Sequence, residues 1–338
     1  MIQLLNICNF FNRKVKYLLL TFLFPTFCFS SITTQTFIEQ KKLYENPYWS
    51  KLLHYTNGES EIDSDNFFIS KDGKTDLKKE LFETINSLKN GENNVLCRFP
   101  LRVKWLKENI PSLEKDIVNY SCAELDEFLS LVDAKYVTIV FPTAHINSPA
   151  SMYGHTFLRV SSDKDTALIS NAINYAAKTN DTNGLVFAYK GLFGEYEGRY
   201  SILPYYEKIK EYNSLEQRDI WEYDLDLNEE EVNRLVLHTF ELKDSYSDYF
   251  FFKENCSYNI LWLLEVARSD LDLVSHFSLK TVPLDSIKIL KPYNLIKESK
   301  FRYSSMKKMK HILEEKIENK EYLDSFVNEN EPLHDDLS

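Results

Sequence analysis

The chain has no excess of positive charge, with 40 lysine and arginine residues against 51 aspartate and glutamate residues, and after residue 30 it has no long apolar run. Its formal net charge is −11, whereas nucleic-acid binding requires lysine and arginine clustered on one face. We therefore expect no nucleic-acid partner. A helix that crosses a bilayer needs about 18 or more apolar residues in succession, and no such stretch follows residue 30. The remainder of the chain is thus predicted to contain no membrane span.

The N-terminus has the pattern of a secretory leader. A basic stretch at 13–16 precedes the apolar segment Tyr17–Phe29, and the small residue Ser30 follows. This order predicts a signal peptide over residues 1–30 and export to the periplasm. Two alternatives stay open: an uncleaved leader would anchor the protein in the membrane, and Cys28 could carry a lipid, although residues 25–27 match the small-residue pattern for lipidation poorly.

Cysteine is scarce, and its number is informative. Cleavage after Ser30 would remove Cys8 and Cys28 and leave Cys97, Cys122 and Cys256. In an oxidising compartment two of these can pair. The near neighbours Cys97 and Cys122 are the expected disulfide, and Cys256 is the expected free thiol.

Cys256 occupies a position at which a catalytic thiol would be activated. Asn255 is a good N-cap, and apolar residues continue at helical spacing from Ile260 to Ala267, so Cys256 is predicted in the first turn of a helix. The partial positive charge and free N–H groups at a helix N-terminus lower a thiol pKa and can hold an oxyanion. The alternative is an inert buried cysteine, which is the commoner case.

The pattern divides the mature chain into a mainly helical region (31–133), a core (134–290) and a polar helical tail (291–338). The core is predicted to be an antiparallel sheet followed by two helices. A capped helix is expected from Asn228 to Leu242, before the Cys256 helix. Helices are otherwise predicted at Phe37–Leu43, Trp49–Tyr55, Leu77–Leu88, Arg102–Lys107, Ala123–Leu131 and Ser304–Asn319, and strands at Tyr136–Phe141, Thr156–Val160, Ala167–Ala176, Leu185–Tyr189, Tyr200–Leu203 and Ile220–Leu225.

A histidine candidate lies in the turn-rich segment 142–158. His155 follows Gly154, which lets another backbone or a substrate approach, and it is predicted on the first residue of a strand. A Cys/His pair on one sheet-and-helix frame is the minimum apparatus for thiolate catalysis. His145 is the competing histidine. A zinc site of His145, His155 and Cys256 is the metal alternative, but no short-spaced ligand pair supports it, so we expect no metal or cofactor.

Several sequence blocks together resemble a known family. The similarity runs in order over roughly residues 95–285 and is to the Lnb N-terminal periplasmic domain family, which is named after an enzyme of lipoprotein N-acylation. The matching blocks are Ser148–Leu158, Asn171–Ala177, Tyr189–Gly194, Pro204–Tyr206, Arg218–Tyr223 and Glu254–Tyr258, with Cys97, Phe99–Pro100 and Cys122 upstream.

The resemblance implies an α+β fold with a permuted papain-like (NlpC-type) core, in which an antiparallel sheet packs on the nucleophile helix. It implies that Cys256 is the nucleophile, His155 the base and Asn174 the residue that orients the imidazole. In the same motifs Ser151, Tyr153, Asn255 and Tyr258 are the expected substrate contacts.

The expected activity is that of a periplasmic acyltransferase which forms a cysteine thioester with the acyl group of a lipoprotein or phospholipid, in contact with a membrane surface. Two alternatives stay open. One is a cell-wall amidase or endopeptidase with the same Cys/His pair, for which a polar rather than an aromatic groove is expected. The other is an envelope binding domain in which the thiol is inert.

Overall fold

The computed structural model describes residues 35–144, 154–164, 166, 169–179, 181, 183–277 and 281–316. The predicted signal peptide and three of the residues singled out above, His145, Ser151 and Tyr153, lie outside these ranges. No helix in the described ranges is long and apolar enough to cross a membrane.

The N-terminal region is helical, as predicted. Asp76 caps the helix Leu77–Asn90 with its side chain, and Gly91 ends it in the left-handed conformation. The rings of Trp49 and Trp105 stack with centroids 5.4 Å apart in the core of this region. The remaining helices here are 35–41, Pro47–Leu52, Val95–Arg98, Pro100–Asn109 and Ala123–Val132, with short 3₁₀ turns at Leu43–Glu45, Asp65–Phe67 and Pro111–Lys115 and a two-stranded hairpin of β1 (Tyr55–Thr56) and β2 (Glu59–Ser60).

A seven-stranded sheet forms the centre of the molecule. All of its strand pairs are antiparallel, which confirms the predicted antiparallel sheet, and the fold class is α+β. The strands are β3 (Tyr136–Pro142), β4 (Phe157–Ser161), β5 (Asn171–Lys178), β6 (Tyr196–Pro204), β7 (Ile220–Leu225), β8 (Ser247–Tyr249) and β9 (Ile296–Arg302), in the order β8-β6-β5-β4-β3-β7-β9.

One predicted strand is wrong. Leu185–Tyr189 lies in a ten-residue helix, Gly184–Phe193, which we call the outer helix. Asn183 caps it by accepting hydrogen bonds from the N–H groups of its first turn, and Gly194 ends it with a φ of 74°. These two local signals outweigh the β-propensity of the apolar run between them.

The sequence pattern also missed the two edge strands of the sheet. β8 has three residues, and β9 is almost entirely exposed along its length. Neither strand shows the alternation of apolar and polar residues by which a half-buried strand is recognised. As a result the sheet extends to Arg302, into the segment predicted as a helical tail, and the helix Ser305–Lys316 follows it.

Two helices pack against the sheet. The helix Glu229–Leu242 begins with a capping box formed by Asn228 and Glu231, as the sequence predicts. The helix Cys256–Ala267 is buried along its whole length and packs against β4, β5, Glu229–Leu242 and the N-terminal helix Pro47–Leu52. Cys256 is therefore held at the junction of sheet and helices by the main hydrophobic core. A last short helix, Pro283–Lys288, packs on the Cys256 helix.

Candidate active site

The position of Cys256 is set by the residue before it. Asn255 accepts hydrogen bonds from the N–H groups of Ser257 and Tyr258, at 3.0 and 3.3 Å, and so caps the helix. Its amide nitrogen donates to the carbonyl oxygens of Phe251 and Thr281. Because all these bonds are made by one buried side chain, the first turn and the thiol that it carries are fixed in place.

His155 lies two residues before β4, not on the first residue of the strand as predicted. Gly154 precedes it with a φ of 89°, and a side chain there would collide with the ring of Phe141. The hydroxyls of Thr156 and Ser257 are 3.0 Å apart and hydrogen bonded. This bond ties the start of β4 to the start of the Cys256 helix, which brings His155 and Cys256 together.

The histidine is held from both sides. Its Nε2 is 2.7 Å from Oδ1 of the buried Asn174, which lies on β5. The amide oxygen is an acceptor, so Nε2 carries the proton, and Nδ1 is the nitrogen available to the thiol. His155 and Cys256 are hydrogen bonded. The structure thus brings together the three residues that the resemblance singled out.

The electrostatics of the pair favour an ionised thiol. Burial raises the pKa of Cys256, but the neighbouring His155, together with hydrogen bonds from His155, the Thr156 backbone and Ser257, lowers it to about 7. Burial lowers the pKa of His155, while Cys256 and the hydrogen bond that the ring donates to Asn174 raise it above its ordinary value. Each partner stabilises the charged form of the other, so a thiolate–imidazolium pair is populated near neutral pH.

Tyr249 is a residue of the site that sequence reasoning missed. Its hydroxyl oxygen accepts a hydrogen bond from the backbone N–H of Cys256 at 3.3 Å, and it is also hydrogen bonded to the Cys256 side chain. Burial and the nearby Cys256 raise the pKa of this tyrosine well above its ordinary value, so the hydroxyl remains a donor. Tyr249 ends the short edge strand β8, which gave no sequence signal.

A cavity of about 230 Å³ opens at the pair. Aromatic side chains and the small residues at the end of β5 form part of its wall, and acidic and basic side chains form another part. The lining residues are Gly154, His155, Ala176, Ala177, Thr179, Phe187, Glu211, Tyr212, Glu216, Arg218, Tyr249, Phe251 and Cys256. The site therefore combines a thiol of lowered pKa, a hydrogen-bonded imidazole and a partly aromatic cavity.

Comparison with family models finds a match over the part of the chain that contains this site. The model described as Lnb N-terminal periplasmic domain matches residues 124–293, which is half of the chain and includes the whole site. The chain belongs to the Lnb N-terminal periplasmic domain family.

A second model, described as domain of unknown function 7843, matches residues 41–109 of the helical region. No curated protein and no solved structure matches the chain. The Lnb family membership identifies a periplasmic domain, and the two matches leave residues 110–123 between them.

The disulfide lies at this junction of the two matched regions. Cys97 and Cys122 are bonded, with Cα atoms 5.3 Å apart, and Cys256 is the free cysteine among the described residues. Both cysteine predictions are confirmed. The bridge ties the domain of unknown function 7843 to the start of the Lnb domain, since Cys122 is adjacent to the first helix of that match.

Two of the expected substrate contacts do not line the cavity. Asn255 acts as the helix cap, and Tyr258 donates its hydroxyl to Glu61 at 2.8 Å. Burial and the neighbouring Glu254 raise the pKa of Glu61 to about 7, against the lowering effect of Tyr258 and Thr56. The side chains of Asn255 and Tyr258 therefore hold the first turn of the Cys256 helix in place and do not face the cavity.

The zinc alternative is not tested by the described part of the chain, because it needs His145. His155 and Cys256 do meet, but the described residues hold no group of three histidine, cysteine or acidic side chains that could bind a metal ion. His145, the third ligand of that alternative, lies outside the described ranges.

Proposed function

We propose that this protein is a cysteine-dependent acyltransferase that takes an acyl group from a lipid or lipoprotein onto Cys256 and passes it to an amine. The observation that carries the proposal is the chain of contacts from Asn174 through His155 to Cys256 at a helix N-terminus. Nucleophile, base and orienting residue in hydrogen-bond contact are the arrangement that thiol catalysis requires.

The order of these residues supports a permuted papain-like core. His155 and Asn174 lie on or next to neighbouring strands of the sheet and precede Cys256 in the chain. The nucleophile then lies on a buried helix that packs against the same strands. Sheet, base and nucleophile helix thus have the relation expected of that core, with the base before the nucleophile.

In the first step the Cys256 thiolate attacks the carbonyl carbon of the acyl ester. The oxyanion that forms is held by the backbone N–H of Cys256 and the hydroxyl of Tyr249. When the tetrahedral adduct collapses, the ester C–O bond breaks, and the proton on Nδ1 of His155 passes to the leaving oxygen. The products are an acyl-thioester on Cys256, an alcohol and a neutral imidazole.

In the second step an amine attacks the thioester carbonyl. Neutral His155 takes a proton from the amine nitrogen, the C–S bond breaks, and the amide leaves with the thiolate and imidazolium restored. Glu211 and Glu216 lie on the cavity wall and pair with Lys208 and Arg218 at 2.7 and 2.9 Å, and the amine that attacks is the neutral form. Water as the acceptor would instead make the enzyme a hydrolase.

The lining of the cavity favours an acyl chain over a peptide. Phe187, Tyr212, Tyr249 and Phe251 provide aromatic surface beside the thiol, and such surface buries an alkyl chain well. A lipoprotein N-acylation reaction, in which a lipoprotein acyl group moves to an N-terminal amine, is the specific activity that we propose.

Intact-mass spectrometry tests the proposal. Purified protein incubated with a diacylated lipopeptide should gain the mass of one acyl chain, and hydroxylamine should remove it, because hydroxylamine cleaves thioesters. Cys256→Ser should lose the adduct and several orders of magnitude of turnover, while its free energy of unfolding changes by only about 1 kcal/mol.

Three results would contradict the acyltransferase. A muropeptide adduct on Cys256 would identify a cell-wall hydrolase. Full turnover in Cys256→Ser would exclude the thiol as nucleophile. A folded wild-type protein that forms no adduct with either substrate would be a binding domain.

A further inference from the structure

The outer helix, Gly184–Phe193, exposes an unusual amount of apolar surface beside the cavity. Leu185 is 84% exposed, Phe193 62% and Tyr189 55%, and the other two exposed apolar residues are Val186 and Leu192. At 100° per residue these five side chains lie within an arc of roughly 120°. In a water-facing helix that arc is normally polar. We call these five residues the apolar face.

The opposite side of the outer helix packs on the cavity wall. The rings of Phe187 and Phe251 are 5.0 Å apart, and the carbonyl oxygen of Gly191 accepts a hydrogen bond from the N–H of Phe251. A side chain at Gly191 would collide with the Phe251 ring. Phe187 and Phe251 also line the cavity beside Cys256. One layer of aromatic rings therefore separates the apolar face from the candidate active site.

Two further apolar residues, Leu215 and Phe252, are exposed next to cavity-lining residues of other segments. Tyr212 and Glu216 line the cavity, and Leu215 between them is 72% exposed. Phe252, next to the lining residue Phe251, is also exposed. Apolar side chains thus reach solvent from more than one segment around the cavity.

The charges indicate what covers this surface. The outer helix has one charged residue, Lys190, which pairs with Asp181 at 2.9 Å and lies at the margin of the apolar face. The chain as a whole has a net charge of −11, which opposes attraction to anionic lipid. A neutral, apolar occupant fits an uncharged face flanked by one lysine, whose amine can reach the headgroup layer.

A second copy of the chain fits less well. A ten-residue helix is about 15 Å long, and one face of it presents on the order of a few hundred Å². Each partner in a stable dimer buries roughly 800 Å². A bilayer needs no complementary partner surface, since it accepts any apolar face that reaches its acyl region.

We infer that the apolar face is an interfacial docking surface for a phospholipid bilayer, which brings the mouth of the Cys256 cavity to the lipid. The proposed function enters this inference only as the reason for docking: a docked protein would let an acyl chain pass from the bilayer along Phe187 and Phe251 to Cys256 without crossing water. Binding to the bilayer is itself independent of the chemistry at Cys256.

Flotation with neutral phosphatidylcholine vesicles tests the docking. The full-length mature protein should float with the vesicles, and added salt or anionic lipid should not improve binding. The double variant Leu185→Glu and Phe193→Glu should lower the partition coefficient by about tenfold or more, because two charges would enter the interface. The matched control is Leu131→Glu, since Leu131 is 71% exposed on a different helix, Ala123–Val132, which does not line the cavity, and the change should leave binding unaltered.

A gain-of-signal variant covers the case in which the double variant does not fold. The tryptophan that Tyr189→Trp introduces adds fluorescence to the wild-type signal, and brominated phosphatidylcholine should quench this added fluorescence. Wild-type protein that stays with the buffer, or a Tyr189→Trp variant whose added fluorescence brominated lipid does not quench, would overturn the inference. So would a dimer in lipid-free solution that the double variant dissociates, because a second copy would then cover the face.

The two proposals fail separately. Vesicle binding without any acyl adduct on Cys256 would retain the docking surface and refute the acyltransferase. An adduct formed from detergent-solubilised lipopeptide by a protein that does not float would retain the acyltransferase and refute the docking surface.

Discussion

Two opposing effects act on the Cys256 sulfur. Burial raises its pKa, whereas His155 and the hydrogen bonds from His155, the Thr156 backbone and Ser257 lower it to about 7. The fraction of thiolate therefore changes steeply in the range where the protein would work. The contact with Cys256 also raises the pKa of His155, so the ionisation of each group depends on that of the other.

We predict that the rate of Cys256 alkylation by iodoacetamide rises with pH and has its midpoint at about pH 7. In His155→Ala the midpoint should move up by about one pH unit or more, because the cation is removed while burial remains. Stopped-flow measurement of the alkylation rate between acid and alkaline pH checks this. The exposed His276→Ala is the control, and an unchanged midpoint in His155→Ala would show that the imidazole does not activate the thiol.

Tyr249→Phe tests the oxyanion role. The variant keeps the ring that stacks on Tyr175 and removes only the hydroxyl beside the Cys256 N–H. Loss of one oxyanion donor lowers turnover by roughly 10²-fold, with little change in the melting temperature. Tyr136→Phe is the matched control, because that hydroxyl is exposed and bonds to Asp163. Wild-type turnover in Tyr249→Phe would remove the tyrosine from the mechanism.

At the scale of elements, two helices with asparagine caps show how burial changes the contribution of a cap to stability. Asn255 caps the Cys256 helix and also donates to two backbone carbonyls, and it is 4% exposed. Asn183 caps the outer helix with its side-chain oxygen and is exposed. A buried cap with four bonds should stabilise the fold far more than an exposed cap with two.

We expect Asn255→Ala to lower the free energy of unfolding by roughly 2 kcal/mol or more, since a cap is lost and buried carbonyls are left unpaired. Asn183→Ala should lower it by about 1 kcal/mol or less. Urea denaturation of both variants gives the comparison. Equal losses would mean that the amide donations of Asn255 contribute nothing to stability.

At the scale of the whole molecule, a buried polar network joins the two matched regions. His54, in the helical region, is 2.9 Å from His238 between their Nε2 atoms, and Nδ1 of His238 is 2.8 Å from Glu241. The other oxygen of Glu241 accepts the backbone N–H groups of Leu101 and Arg102. Burial, with His238 and Arg102, lowers the pKa of His54 well below 6.5.

This shift predicts acid sensitivity. Below about pH 6.5 the unfolded chain binds a proton at His54 and the folded protein does not. The free energy of unfolding is therefore unaffected by His54 above pH 6.5 and decreases as the pH falls below it. The slope is up to about 1.4 kcal/mol per pH unit. Denaturation midpoints between neutral and mildly acid pH should fall less steeply in His54→Asn than in wild type, and a parallel fall would locate the sensitivity elsewhere. The control is His276→Asn, because His276 is exposed; its denaturation midpoint should fall with pH as steeply as that of the wild type.

Local features of this protein were determined by short stretches of sequence. Asn255 and the apolar residues after Cys256 predict a capped helix with the thiol in its first turn, because a cap depends on bonds to the next three residues. The nearness of Cys97 and Cys122 in the sequence predicted their bridge correctly, and the odd number of cysteines in the predicted mature chain predicted the free thiol of Cys256. The ordered motifs from Ser148 to Tyr258 indicated the family, which the match confirms.

Only the tertiary structure decided which residues of the site are in contact. His155 and Cys256 are 101 positions apart in the sequence, and their contact exists because β4 and the Cys256 helix are tied at Thr156 and Ser257. Tyr249 reaches the site from an edge strand, and Phe187 reaches it from the outer helix, which was predicted as a strand. Burial, long-range hydrogen bonds and edge pairing arise only when the sheet is assembled, and no window of neighbouring residues contains them.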